Sequence, residues 1–270
     1  MSATAFQGII MNKDYLINTM TDIVRQCGNI MLKGSSEQIL TTEKSSFRDI
    51  VTQYDVLIQE FCVNSLSGKF PEAHFICEEA DNSSPDPYAL TFVIDPIDGT
   101  SNFAHHFRHS CTSVACVQDG SPVAAVIYNP FSDELFSAVK GEGAFLNGTS
   151  IHVQEQELSR SLVLFGTAPY NMELAEDTIS RIRSLYGKCL DLRRSGSAAL
   201  DLCYVACGRA GLFFEDILSV WDYAAGALIV AEAGGICTAL DAKPLVFNQP
   251  VKCSVLAGTS KTINEYMNLV

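Results

Sequence analysis

The stretch Thr91-Phe-Val-Ile-Asp95-Pro-Ile-Asp98-Gly-Thr100-Ser-Asn-Phe103 decides how this chain is read. Its first four residues are an apolar run of strand length, which delivers Asp95 to the edge of a sheet. Pro96 lacks a backbone N–H and is expected to end the ladder there, while Gly99 lets the backbone turn sharply. Asp95 and Asp98 therefore emerge together, with a free carbonyl such as that of Ile97 between them. Hard oxygen donors on a short rigid turn suit Mg²⁺ better than Zn²⁺. In isolation the same carboxylates are equally compatible with Asx turns.

Acids recur at two other places. Glu78 and Glu79 follow the apolar run His74-Phe-Ile-Cys77 and so stand at a strand terminus, where α/β sheets carry their sites, although acids after a strand are also common as plain surface. Further on, Ser219 and Asp222 in Glu215-Asp216-Ile-Leu-Ser219-Val-Trp221-Asp222 fit a capping box, which accounts for an acid in a first helical turn without any metal. A capping carboxylate still has a second oxygen to offer. Thr52 and Asp55 fit the same box at the start of a helix over Gln53 to Leu66.

Around these motifs the pattern is layered. Leu16, Met20, Ile23, Val24, Cys27 and Met31 recur at helical spacing, predicting a helix from Asn12 to Met31. Short strands are expected at His74–Cys77, Thr91–Ile94, Thr112–Val117, Val123–Tyr128 and Leu135–Val139, with a hairpin turning at Asn147-Gly148. The later half alternates helices at Glu173–Tyr186, Ala198–Ala206 and Trp221–Ala233 with strands near Leu190, over Gly211–Phe214, and at Ile236 and Val255. This is an α/β arrangement. The acidic Asp81 to Pro87 stretch reads as a loop, and a soft boundary near Ser150 divides a half over 1–150 from one over 151–270, together one catalytic unit.

Composition narrows the function classes. The 270 residues are 47% hydrophobic and 18% charged, enough to build a core, and the net charge of −13 includes no basic run able to neutralise a nucleic acid duplex. No apolar stretch is long enough to span a membrane, and the opening MSATAFQGIIMNKDY lacks the basic and apolar regions of a secretory signal, so a cytoplasmic location is expected. The ten cysteines never form C-x-x-C and read as reduced, mostly buried thiols.

Taken together, the D-P-I-D-G-T-S-N-F and W-D-Y-A-A-G motifs, the E-A-G-G after the latter, Glu78-Glu79, and Lys44 followed by V-T-x-x-D at Val51 to Asp55 resemble the inositol monophosphatase family. Arg194-Ser-Gly-Ser-Ala-Ala199 and Gly141-x-Gly-Ala-Phe-Leu-Asn-Gly148 extend the resemblance to nearly the whole chain. It implies a layered α-β-α-β-α sandwich of the inositol monophosphatase and fructose-1,6-bisphosphatase type, a homodimer, and a lithium-sensitive, Mg²⁺-dependent hydrolysis of a phosphate monoester. A small phosphorylated polyol, inositol 1-phosphate first, is the implied substrate. Fructose 1,6-bisphosphate, histidinol phosphate and adenosine 3′,5′-bisphosphate are the rivals, although Thr100-Ser101-Asn102-Phe103 resembles the inositol type.

The resemblance also implies roles. Glu78, Asp95 and the Ile97 carbonyl would hold one Mg²⁺, and Asp95, Asp98 and Asp222 a second, with a third near Glu78 through waters. Thr100, hydrogen-bonded to Asp55, would act with Glu78 to orient and deprotonate the attacking water. Lys44 would touch a water or the metal shell, or else is a solvated loop lysine. Gly99 and Thr100 would open a helix toward the phosphate, and Asp98, Gly196, Ser197, Ala198 and Glu215 would hold substrate hydroxyls. Glu215 has the alternative of an ion pair with Arg193 or Arg194. Cys77, Phe107-Arg108 and Gly166-Thr167 depart from the family's usual Gly, Phe-Pro and Ser. A reading from another class makes His105-His106-Phe-Arg-His109 a transition-metal module, with His105 and His109 one helical turn apart.

Overall fold

A computed structural model describes residues 12–80, 82 and 88–270. Apart from Asn82, the loop expected over Asp81 to Pro87 lies outside the described residues. In chain order the first half contains α1 (Lys13–Gly34), β1 (Thr41–Ser46), β2 (Asp49–Thr52), α2 (Gln53–Ser67), β3 (His74–Cys77), β4 (Thr91–Asp98) and α3 (Thr100–Ala104). A run of strands follows: β5 (Cys111–Gln118), β6 (Ser121–Asn129), β7 (Glu134–Val139), β8 (Gly143–Leu146) and β9 (Thr149–Ile151). The rest contains β10 (Leu162–Phe165), α4 (Ala175–Leu185), β11 (Asp191–Arg193), α5 (Ala198–Ala206), β12 (Leu212–Ser219), α6 (Val220–Glu232), β13 (Ile236–Thr238), β14 (Lys252–Gly258) and α7 (Ser260–Met267).

Strands β3 to β9 form one sheet in sequence order, parallel only between β3 and β4. The second sheet runs β11-β10-β12-β14-β13, and among the described residues β1 pairs only with β2. Alternate residues of β4 supply two different cores, as the period of two along a strand requires. Phe92 and Ile94 pack with Leu16, Met20, Val24 and Met31 of α1 and Ile58 and Cys62 of α2. Val93 faces the opposite way, into a core with Leu200 and Cys203 of α5, Tyr223 and Ile229 of α6, and Phe213 and Val255 of the second sheet. Beyond that sheet, Val163, Phe214 and Leu256 are covered by Leu185 of α4 and Tyr266 of α7. The layers are therefore α1/α2, seven strands, α5/α6, five strands and α4/α7, the expected α-β-α-β-α sandwich.

Several expectations are corrected. Strand β4 does not end at Pro96, and it lies between β3 and β5 rather than at an edge; pairing is Asp95 with Ser113 and Asp98 with Cys111, with a bulge between. A residue without an N–H is tolerated inside a sheet at such a bulge, and the Pro96 carbonyl there accepts from Thr112 Oγ1 at 2.9 Å. Strand β12 continues past Phe214 to Ser219, carrying Glu215 within it. Helix α1 runs three residues beyond Met31, with Asn12 as its cap. The hairpin β1–β2, strand β10 and helix α7 had no expectation in the sequence. All ten cysteines are free. No helix among the described residues is long and apolar enough to cross a membrane.

Candidate active site

The bulge in β4 is what brings Asp95 and Asp98 to one place, because an extra residue on one strand re-aims the side chains that flank it. Asp222 arrives from the first turn of α6, where the capping box is present and its Oδ2 accepts the Ser219 N–H at 2.6 Å. Asp95, Asp98 and Asp222 each present a carboxylate oxygen, and the three oxygens lie within 4.8 Å of one another. Glu78, at the end of β3, and Ile97, inside the bulge, line the same cleft of about 160 Å³.

Clustered acids without a counter-charge resist losing their protons. Burial, followed by the charges of Glu78, Asp98 and Asp222, pushes the Asp95 carboxyl well above its usual range. Burial raises Asp98 to about 6 and, with Glu78 and Asp98, drives Asp222 well up. Asp95 Oδ1 is buried and has no hydrogen-bond partner. A buried orphan oxygen among three converging carboxylates fits a hard divalent cation, which would supply both the missing partner and the missing charge.

Beside this cluster stands a hydroxyl held by an acid. Thr100 Oγ1 has Asp55 Oδ1 at 2.9 Å and the Ile97 carbonyl at 3.0 Å as acceptors for its one proton. Asp55 is fully buried, and its other oxygen accepts from Thr52 N at 2.8 Å and Thr52 Oγ1 at 2.5 Å, the capping box of α2. Burial raises Asp55 to about 6 in spite of these bonds. Lys44, on β1, bonds Glu78 at 3.0 Å and also Glu79. Burial opposes its charge, but the carboxylates of Glu78 and Glu79 outweigh that and hold the ammonium above the usual lysine range. The solvated-loop reading of Lys44 is thus set aside.

The second half supplies the other wall. Gly99 caps α3 at φ +85°, and a Cβ there would lie 3.0 Å from the His109 carbonyl and 3.1 Å from that of Gly196, so only glycine fits the turn and the approach. Asp98 Oδ2 accepts from Ser197 Oγ and from the Ala199 N–H at 2.8 Å, tying the bulge to the start of α5. Ser197 is the cap of α5, so its hydroxyl is committed within the protein, while Gly196 and Ala198 line the cleft beside it. Glu215 makes no ion pair with Arg193 or Arg194: it accepts the Ala168 N–H at 3.1 Å, and Arg193 pairs with Asp191 instead. Its carboxyl lies over Gly166, where any Cβ would collide with it. Burial raises Glu215 to about 7.

Sequence reasoning missed Arg48 and Tyr170, turn residues, and Asp49, which opens β2; all three reach the cleft without a motif to announce them. It also missed Asp201, a buried acid that accepts from Ser195 Oγ at 2.6 Å; an acid in the first turn after a Ser cap was the available signal. The imidazole module is not assembled. Helix α3 ends at Ala104, so His105 and His109 share no helical face, and His109 packs its ring 5.7 Å from that of Tyr204. Among the described residues the three aspartates are the one group of His, Cys, Asp and Glu placed to hold a metal.

Known proteins resemble this chain in sequence and in fold. Inositol monophosphatase 2 of Solanum lycopersicum is 40% identical over 230 residues, covering 82% of this chain and 85% of that protein. The Nus factor SuhB of Xylella fastidiosa is 36% identical over 259 residues and 94% of both chains. The crystal structure of the extragenic suppressor protein SuhB from Bartonella henselae superposes with a TM-score of 0.88 at 31% identity, over 94% of this chain and 98% of that one. The sequence pattern of the inositol monophosphatase family spans residues 12–268, and with acids from β3, β4 and α6 lining one cleft, the chain belongs to that family.

Proposed function

We propose that this phosphatase-family chain hydrolyses a phosphate monoester of a small polyol, inositol 1-phosphate foremost, with Mg²⁺ as cofactor. The convergence of Asp95, Asp98 and Asp222 around an unpartnered Asp95 oxygen carries the reading. Glu78, Asp95 and the Ile97 carbonyl would hold one ion, and Asp95, Asp98 and Asp222 another. Bound there, Mg²⁺ supplies positive charge for the phosphoryl oxygens and acidifies water.

The chain's own groups do the rest. Thr100 donates its hydrogen bond to Asp55, which leaves hydroxyl lone pairs to accept a hydrogen bond from the attacking water; as that water loses its proton to Thr100, the Thr100 proton passes to Asp55, with Glu78 as the alternative acceptor. Lys44 fixes Glu78 in place. The backbone N–H groups of Gly99 and Thr100 face the phosphate, while Glu215, with Asp98, Gly196, Ser197 and Ala198, meets the polyol hydroxyls. On this reading residues 1–150 carry most metal ligands, 151–270 bring Asp222 and the substrate contacts, and the enzyme works as a lithium-sensitive homodimer in the cytoplasm, with neither nucleic acid duplex nor membrane as partner.

The test is phosphate release from inositol 1-phosphate, fructose 1,6-bisphosphate, histidinol phosphate and adenosine 3′,5′-bisphosphate. The expected result is turnover that EDTA abolishes and Mg²⁺ restores, with inositol 1-phosphate favoured over the last two. Zero release from every ester in Mg²⁺ would sink the reading.

A further inference from the structure

Glu215 is placed by its neighbours across the second sheet. The register of β10 and β12 sets Phe165 beside Phe214, and one step on the Gly166 N–H still donates to the Phe214 carbonyl at 3.0 Å, which leaves Gly166 and Glu215 side by side. On its other flank Glu215 pairs with Val255 of β14. Of these two neighbours only the glycine leaves room for a carboxyl to lie sideways. The three atoms nearest to where a Gly166 Cβ would stand all belong to the Glu215 carboxyl. Gly166 does not have the positive φ that calls for glycine, so the backbone would accept alanine there; the carboxyl is what excludes it.

The turn beyond Gly166 completes the arrangement. Glu215 Oε1 accepts the Ala168 N–H at 3.1 Å. Ala168 holds φ +36°, a left-handed conformation that alanine rarely adopts and that persists only where its surroundings impose it. With Oε1 engaged, Oε2 has no donor among the described residues, in a side chain that is 8% exposed and lines the cleft together with Gly166. A carboxyl with one oxygen fixed offers the other to hydroxyl donors in a single orientation.

We infer that Gly166 is a specificity-determining residue of this cleft. By bearing no side chain it lets Glu215 lie back against Ala168, so that Oε2 is held at a fixed depth as the acceptor for a substrate hydroxyl, and esters of polyols are selected over esters without hydroxyls. The inference rests on the reading of the cleft as a phosphomonoesterase site with Glu215 at the polyol, and it adds to that reading the glycine that sets where the acid stands.

Inositol 1-phosphate and phenyl phosphate test it, because both are monoesters and only the first has hydroxyls on its leaving group. With the full chain in Mg²⁺, Gly166→Ala is expected to lower the ratio of kcat/KM for inositol 1-phosphate to that for phenyl phosphate about tenfold, mostly through KM, as the loss of a hydrogen bond to a carboxylate would. Glu215→Ala is expected to lower the ratio at least as far. Gly166→Ala added to Glu215→Ala is expected to lower it no further, because the new methyl then has no carboxyl to displace. A ratio that Gly166→Ala leaves unchanged overturns the inference, as does a further fall in the double variant, which would give position 166 an effect of its own. Should Gly166→Ala not fold, Glu215→Asp, which keeps the charge but draws it back from Ala168, is expected to show the same loss, and a wild-type ratio there overturns the inference. Turnover by the wild type separates this from the reading beneath it. Both esters hydrolysed with a ratio the variants do not move defeats the role of Gly166 alone. Phenyl phosphate hydrolysed without inositol 1-phosphate defeats the polyol reading and the inference with it, and no turnover of either defeats the phosphatase reading as well.

Discussion

Asp222 has two oxygens and two tasks. Its Oδ2 starts α6 by accepting the Ser219 N–H, and the same carboxylate offers an oxygen within 4.8 Å of ones from Asp95 and Asp98. Asparagine keeps an acceptor for the helix but loses the charge. Asp222→Asn is therefore expected to lower kcat by roughly 10²-fold or more, as for other losses of a group that stabilises transition-state charge, while denaturant unfolding stays within about 1 kcal/mol of wild type. Asp222→Ala removes the cap as well and is expected to lose stability too. Equal activity of Asp222→Asn and wild type in a phosphate-release assay would show that the charge of this carboxylate has no catalytic part. At this scale much was legible beforehand. D-P-x-D-G and the two capping boxes are local patterns with local causes, so the placement of Asp95, Asp98, Asp55 and Asp222 could be read from neighbouring residues, while their roles at a site came from the family resemblance. Arg48 and Tyr170 could not, since what brings them to the cleft is the path of loops between distant elements.

Helix α2 links local stability to the site. Thr52 caps it and, through the same bonds, fixes the Asp55 carboxylate that receives the Thr100 hydroxyl. Thr52→Ala is expected to cost about 1–2 kcal/mol in a urea titration and to lower kcat severalfold, whereas Thr52→Ser, which keeps the hydroxyl, is expected to lie close to wild type. A kcat unchanged in the alanine variant would detach Asp55 from the reaction. Helix starts of this kind were readable because a cap needs only three or four consecutive residues. Strand limits were less so. Pro96 signalled an end, but pairing resumes at Asp98 because β5 continues alongside, and partner strands lie outside any local window. The polar Thr41–Ser46 segment gave no apolar alternation to read, since its strand is exposed and pairs only with β2. Helix α7 escaped notice although Thr259 and Thr262 form a capping box there.

At the scale of the molecule, the buried acids make stability depend on pH and on cations together. Asp98 and Asp55 titrate at about 6 and Glu215 at about 7, all above the value near 4 of an unfolded carboxyl. The folded chain thus binds more protons than the unfolded one between those limits, and the sign follows: without metal, stability falls as pH rises from about 4 to 7. In EDTA the Tm is expected to be several degrees lower at pH 7.5 than at pH 5.5, and Mg²⁺ to raise it more at pH 7.5, where the carboxylates are ionised. Calorimetry that found EDTA-treated protein more stable at pH 7.5 would contradict the placement of these acids. The layering has a different consequence. Because α6 is wedged between both sheets while it carries Asp222, the seven-stranded sheet cannot shift against this helix without pulling Asp95 and Asp98 away from Asp222. The ribbon of residues 41–52 belongs to neither of these sheets, and its lysine is what moors it to the acids of the cleft.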